Sequence, residues 1–241
     1  MAKLDSIAMA AELDGFLLVD KPANLSSHDA VKAIKTHFNL VKVGHGGTLE
    51  PNATGLLVVL LGNATRLSGD VMGADRAYSA VVRLGRETNT GDGDGAVVAE
   101  KDAADVSREA IDRVLPELRG DVFQTPPPFT VIKMPMKPTY DVVETDPDDR
   151  KVRMVHFYRA AVTAFTPPCV TFDLLCTKGA SIAAFALELG RLLGCGASIE
   201  TLRRTSCGRF DVADALPLME LLKMDPVDLK GRVLSRMGAR V

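Results

Sequence analysis

A glycine-rich segment at residues 44–55, Gly-His-Gly-Gly-Thr-Leu-Glu-Pro-Asn-Ala-Thr-Gly, places a histidine and a carboxylate in one tight turn. A continuous apolar run at residues 56–61 follows it and predicts a buried strand. A carboxylate held at the end of a strand can act as a nucleophile or can stabilise developing charge. His45 and Glu50 are therefore candidate site residues. The alternative is a plain turn in which glycines supply positive φ and Glu50 points to solvent.

The composition excludes several classes of function. The chain has 241 residues and a net charge of -2, so there is no global electrostatic argument for nucleic-acid binding, and an RNA surface must be a local basic patch. The obvious basic cluster is Leu202-Arg203-Arg204, with Arg209 close behind. The four cysteines form no CxxC pair and have no clustered histidines near them, which favours buried reduced thiols over a metal site or a disulfide framework.

The N-terminal residues lack the features of a secretory signal, and no uninterrupted apolar stretch reaches the roughly 18 residues that a membrane span requires. We therefore expect a cytoplasmic protein that does not enter a membrane.

Hydrophobic periodicity predicts an α+β fold with helices packed on a sheet. The expected strands are residues 15–20, 56–61, 78–84, 152–165 and 169–177, the last two paired. The expected helices run from Ser26 or Ser27 to residue 38, from Ser107 to about residue 118, and over residues 181–193, with one more near the C-terminus. Residues 91–95 are predicted to form a loop and residues 125–138 a protruding proline-rich segment. No linker composition is visible, so we expect a single domain over residues 1–241.

Five separated segments, in this order and spacing, resemble the bacterial tRNA pseudouridine synthases of the TruB family. They are residues 15–22 with Ser26-Ser27, the loop at 44–55, Arg76-Ala-Tyr78 with Arg83-Leu-Gly85, residues 124–133, and Cys176-Thr-Lys-Gly179 with residues 192–196 and Leu202-Arg-Arg204. The resemblance runs from about residue 14 to residue 212.

This resemblance implies the pseudouridine synthase fold, a curved mixed β-sheet flanked by helices with an RNA-binding cleft. It implies isomerisation of uridine to pseudouridine in the T-arm stem-loop of tRNA, by a monomer that needs no metal, nucleotide or organic cofactor. The reaction breaks the uracil N1–C1′ bond and rejoins the base through C5, so the base must leave the helical stack. Relatives often continue into a PUA domain, which we do not expect in this chain.

The resemblance also assigns residues. Glu50 stands where the family has its catalytic aspartate, and Tyr78 matches the tyrosine that stacks on the flipped base. The matching substrate-binding positions are His45, Lys21, Lys178, Leu202 and Arg204. We expect the loop at 44–55 and Tyr78 to face one cleft, with Lys178 or Arg204 near the Glu50 carboxylate.

Several positions depart from the family pattern. Glu50 is one methylene longer than aspartate, and Gly46 replaces the usual threonine. The tyrosine and arginine that usually follow the Lys-Gly pair are Ser181 and Ala183. Two hypotheses remain: an active synthase that uses Glu50, or a catalytically impaired or inactive homologue that binds or folds tRNA.

Overall fold

The computed structural model of the protein describes residues 13–127, 129–133, 140–144 and 151–235. Within these residues the strands are, in chain order, β1 (Gly15–Lys21), β2 (Val43–His45), β3 (Thr54–Leu61), β4 (Arg76–Leu84), β5 (Arg86–Thr88), β6 (Val97–Glu100), β7 (Gly120–Gln124), β8 (Phe129–Lys133), β9 (Tyr140–Glu144), β10 (Arg153–Thr166), β11 (Cys169–Cys176), β12 (Ala197–Cys207), β13 (Phe210–Asp211), β14 (Leu216–Pro217) and β15 (Val233–Leu234). The α-helices are α1 (Ser27–His37), α2 (Ser68–Gly73), α3 (Arg108–Val114), α4 (Ile182–Leu193), α5 (Leu218–Leu221) and α6 (Pro226–Leu229). Short 3₁₀ segments cover Gly62–Leu67, Leu115–Leu118, Val212–Asp214 and Lys230–Arg232.

The chain divides into two compact units. The first unit comprises Met1–Ala74 and Arg204–Val241, and the second comprises Asp75–Arg203. Strand β12 begins in the second unit and ends in the first. The catalytic domain over residues 1–241 therefore stays a prediction.

The first unit is built on a mixed sheet. Strand β1 pairs antiparallel with β3 from Gly15 opposite Leu61 to Lys21 opposite Gly55. The same strand pairs parallel with β14, and β2 pairs antiparallel with β3. Both strands predicted for this region are thus confirmed, and the structure shows that they are neighbours. Strand β1 ends directly before Pro22, which has no N–H to continue a ladder.

Both faces of this sheet are covered, which explains why its strands are continuously apolar. Leu17 and Leu57 share one core with α1, α5 and α6, and Phe16 and Leu56 share a second core with α2. Successive side chains of a strand point to opposite faces, so each strand supplies both cores.

Helix α1 begins where its sequence indicates. The Ser26 side chain accepts a hydrogen bond from Asp29 N at 3.0 Å and caps the helix. The buried residues of this helix recur at helical spacing, i, i+3, i+4 and i+7, and so lie on one face: Ser27, Ala30, Val31 and Ile34.

The second unit contains four antiparallel strands in the order β4, β11, β10, β7. The predicted pairing of residues 152–165 with 169–177 is confirmed in β10 and β11. Helices α3 and α4 contribute Ile111 and Phe185 to a core that includes Phe157 and Phe172. An α+β fold with a mixed sheet flanked by helices is therefore confirmed.

Some elements differ from the predictions. The eleven-residue strand β12 contains the basic cluster Leu202-Arg203-Arg204, for which the sequence pattern predicts no strand. Within the proline-rich segment, residues 129–133 form β8, which pairs antiparallel with β9; residues 128 and 134–139 lie outside the described residues. Near the C-terminal end of the described residues, two four-residue helices stand where one helix was expected, because the apolar residues there come in short groups separated by Asp225-Pro226.

The thiols follow the sequence prediction in the main. Cys176, Cys195 and Cys207 are buried and Cys169 is half-buried, and none of the four forms a disulfide within the described residues. Among those residues, none of the helices has the length and apolarity that a membrane span requires.

Candidate active site

The segment between β2 and β3 presents Glu50 to solvent on a tight turn. Ala53 N donates to Glu50 O at 3.1 Å and closes the turn. Glu50 is exposed, whereas its neighbours Leu49 and Pro51 are buried. The turn therefore has buried flanks and an exposed residue between them.

Ser27 fixes the residue before Glu50. It is the first residue of α1, and its hydroxyl accepts from Leu49 N at 2.8 Å and donates to Leu49 O at 3.1 Å. Leu49 is buried and lies outside regular secondary structure, and these two hydrogen bonds satisfy both of its main-chain polar groups. The local sequence pattern predicts Ser27 as a possible helix cap and carries no signal for this longer-range contact.

Lys21 fixes the residue after Glu50. Its Nζ donates to Pro22 O at 2.7 Å, Leu25 O at 2.7 Å and Pro51 O at 3.0 Å, and the residue is 0% exposed. Burial, followed by the charge of Arg204, lowers the pKa of Lys21 to about 8. The amine is still mainly protonated at neutral pH, and its three N–H donors match three carbonyl acceptors.

Arg204, at the end of β12, holds the first part of the loop. Its Nε donates to Leu56 O at 2.8 Å, Nη1 to Thr48 O at 3.2 Å and Nη2 to Gly47 O at 3.1 Å. The side chain is 1% exposed, so these described contacts lie inside the protein rather than on a basic surface. Gly55 permits the approach of this strand, because a Cβ there would lie 2.2 Å from Arg204 O and its φ is +99°.

His45 closes the other side of the turn as the last residue of β2. Its Nδ1 accepts from Gly47 N at 3.4 Å, which places the ring proton of the neutral form on Nε2. Burial lowers the pKa of His45, and electrostatic interactions with Arg204 and His28 lower it further. The imidazole is therefore neutral at pH 7.

The structure gives a reason for glycine at position 46. A Cβ on Gly46 would lie 2.2 Å from Val71 Cγ1, and Val71 of α2 is fully buried. Val71 thus occupies the space that the threonine usual at this position would need. The sequence shows the departure from the family pattern at position 46, but the compensating residue is visible only in the structure.

The remaining predicted residues belong to the second unit. Tyr78 lies on β4 and is 8% exposed, Leu202 lies half-buried on β12, and Lys178 is exposed in the turn between β11 and α4. The structure thus brings Lys21, His45, Glu50 and Arg204 together in the first unit. A common cleft for Glu50 and Tyr78, and a cation beside the Glu50 carboxylate, stay predictions.

Two family descriptions match this chain. Residues 35–182 match "TruB family pseudouridylate synthase (N terminal domain)", and residues 185–233 match "tRNA pseudouridylate synthase B C-terminal domain". The first match covers more than half of the chain.

Curated relatives agree with these matches. The tRNA pseudouridine synthase B of Azoarcus sp. (strain BH72) is 39% identical over 230 residues, which cover 95% of this chain and 76% of that protein. The protein of the same name from Opitutus terrae is 36% identical and covers 92% of this chain and 93% of that protein.

Solved structures agree in fold. A chain of a Cbf5-Nop10-Gar1 complex superposes with a TM-score of 0.69 at 29% identity, covering 90% of this chain. A chain of an H/ACA RNP bound to a substrate RNA containing 2′-deoxyuridine gives a TM-score of 0.68 at 27% identity. The present chain spans just over half the length of these two solved chains, 56% and 55%.

We predict that Lys21→Met destabilises the protein by about 3 kcal/mol, because three carbonyl groups lose their charged donor. Lys32→Met, at an exposed position on α1, is the matched control and should change the free energy of unfolding by less than about 0.5 kcal/mol. Urea unfolding of the two variants measures both values. Equal effects would show that the three hydrogen bonds do not hold the loop.

We further predict that Gly46→Thr destabilises the protein by about 2 kcal/mol, because the new side chain overlaps Val71. Val71→Ala alone should also destabilise it, through a cavity. The double variant should be more stable than the sum of the two effects by at least about 1 kcal/mol. Additive effects in this four-protein cycle would contradict the steric explanation.

Proposed function

This chain belongs to the TruB family of pseudouridylate synthases, and we propose that it isomerises uridine to pseudouridine in tRNA with Glu50 as the catalytic carboxylate. The N1–C1′ bond of the nucleotide breaks, the base turns, and C5 bonds to C1′ while the C5 proton is released and N1 gains one. No atom is gained or lost overall. A base inside a helical stack cannot undergo this rotation, so the nucleotide must be extruded.

The anchored turn at Glu50 is the observation that carries the proposal. Leu49 is held through the Ser27 hydroxyl and Pro51 through the Lys21 ammonium, while Glu50 itself is exposed. A carboxylate that attacks or stabilises a reacting carbon must be placed within a fraction of an ångström of its productive position. Hydrogen bonds to the residues on both sides hold the backbone at Glu50 in one position.

Two further residues take roles beside Glu50 in this proposal. The neutral imidazole of His45 can donate from Nε2 to an oxygen of the extruded nucleotide. The ring of Tyr78 stacks on the base, since base–aromatic stacking stabilises an unstacked nucleotide by roughly 1–3 kcal/mol. Lys21 and Arg204 act through the backbone of the loop, from the buried positions described above.

The substrate segment we propose is the T-arm stem-loop, bound by a monomer in the cytoplasm. Exposed Lys178 contributes a positive charge to phosphate, and Leu202 contributes apolar contact to the extruded base. Because the net charge of the chain is -2, binding depends on such local cations.

A second candidate function is binding of tRNA without isomerisation. Ser181 and Ala183 favour it, since they replace the tyrosine and arginine usual after the Lys-Gly pair. An arginine beside a catalytic carboxylate keeps it ionised and oriented, and Ala183 cannot do so.

We predict that Glu50→Gln reduces pseudouridine formation to background, because an amide can neither attack carbon nor carry the charge. Glu50→Asp should raise the single-turnover rate by up to about a hundredfold, since the carboxylate returns to the position of the usual aspartate. Tritium release from tRNA labelled at uridine C5 measures both rates. Glu220→Gln, an exposed change on α5, is the control. An unchanged rate in Glu50→Gln excludes Glu50 as the catalyst and leaves the binding function.

Both functions predict that the wild-type chain and Glu50→Gln bind a T-arm stem-loop with similar affinity at low salt. The affinity should fall by at least tenfold between about 50 and 200 mM salt, because each neutralised phosphate releases counterions, so that even two or three phosphate contacts lower the affinity by about this factor. Fluorescence anisotropy against salt measures this slope. Absence of binding at low salt would contradict both functions.

A further inference from the structure

The turn that carries Lys178 is attached to strand β10 by two hydrogen bonds. Thr177 N donates to His156 O at 2.9 Å, and His156 N donates to Thr177 Oγ1 at 2.9 Å. These bonds fix the residue that precedes Lys178. Lys178 and Gly179 are exposed at the apex.

Gln124, the last residue of β7, fixes the other end of the same turn. Its Nε2 donates to Ser181 O at 3.0 Å, and Ser181 N donates to Gln124 Oε1 at 2.9 Å. Gln124 is 9% exposed. Ser181 in turn caps α4, because its hydroxyl accepts from Ala184 N at 3.1 Å.

Only a side-chain amide satisfies both main-chain groups of Ser181 at once. A carboxylate accepts from Ser181 N but places a negative charge against Ser181 O. Methionine has a similar length and offers neither donor nor acceptor of comparable strength. Asparagine is one methylene shorter, so it cannot span the same gap.

We propose that Gln124 is a positioning residue for substrate: it sets the turn at residues 177–181 so that Lys178 meets a phosphate of the RNA. The inference rests on the proposed function, because it assigns the RNA backbone as the ligand of this turn. Gln124 touches no substrate in this assignment. It affects the affinity for RNA by setting the backbone geometry at Lys178.

The first test uses a spectroscopic signature of the two hydrogen bonds. Gln124 is the only glutamine in the 241-residue chain, so selective ¹⁵N-glutamine labelling gives a single side-chain amide pair. One of its two protons should exchange slowly with solvent in the wild-type chain and equally slowly in Lys178→Ala. Rapid exchange of both protons in the wild-type chain would overturn the proposal before RNA is added.

The second test measures RNA affinity in a double-mutant cycle. Gln124→Met should weaken binding of a T-arm stem-loop by about threefold to tenfold, as should Lys178→Ala, and the double variant should bind no more weakly than Lys178→Ala alone. Gln124→Glu should lie between the wild-type chain and Gln124→Met. Lys223→Ala, at an exposed position of the first unit, is the control for loss of one positive charge.

The outcomes separate this inference from the proposed function. Wild-type affinity in Gln124→Met, or additive losses in the double variant, overturns the positioning role while leaving the enzyme assignment intact. A wild-type chain that binds no RNA overturns both. If Gln124→Met does not fold, the comparison of Gln124→Glu with Lys178→Ala and their double variant decides the same point.

The single-turnover rate at saturating RNA distinguishes positioning for binding from a general structural defect. A change confined to affinity leaves that rate within about twofold of the wild-type value. A loss of rate at saturation, with affinity unchanged, would contradict a role exerted through a phosphate contact.

Discussion

Hydrogen bonds from buried cations to main-chain carbonyl groups determine where the candidate catalytic residue lies. The loop at residues 44–55 contains little regular secondary structure, so most of its carbonyl groups cannot be satisfied by a strand or helix ladder. Lys21 and Arg204 supply six donor contacts to carbonyl groups in and around that loop. Charged donors form stronger hydrogen bonds than neutral ones, which suits a loop that must not move. The cost is two buried like charges inside one unit: burial first, and then the charge of Arg204, lowers the pKa of Lys21.

In the second unit, neutral groups hold an irregular segment in place. The turn that carries Lys178 is held by the Thr177 hydroxyl, the Gln124 amide and the backbone of His156. In both units an exposed charged residue stands at the apex of an irregular segment, and its flanking residues are bonded to regular elements. Functional groups placed in this way combine solvent access with a defined backbone position.

The departures from the family pattern have local structural explanations. Gly46 accompanies Val71, which fills the space beside it. Ser181 caps α4 through its hydroxyl, a role that a tyrosine ring cannot perform. Ala183 lies against Gly91, where a Cβ on the glycine would be only 3.1 Å from the alanine Cβ. Each replaced residue therefore packs or bonds in its present form. In the proposed function, Glu50 acts with a side chain one methylene longer than that of aspartate.

Local patterns in the sequence determined most of the elements near the site. Neighbouring residues alone predict the apolar strands β1 and β3. They also predict a cap of α1 at Ser26 or Ser27 and the start of α4 near Ser181. The resemblance to a known family identified Glu50 as the candidate catalytic carboxylate. Only the tertiary structure decided that Arg204 lies inside the protein: its acceptors at residues 47, 48 and 56 are about 150 positions away in the chain. For the same reason the local pattern does not predict strand β12, since its charged residues are typical of a basic surface cluster. A buried cation is stable only with its acceptors in place, and those partners are brought together by folding rather than by sequence spacing.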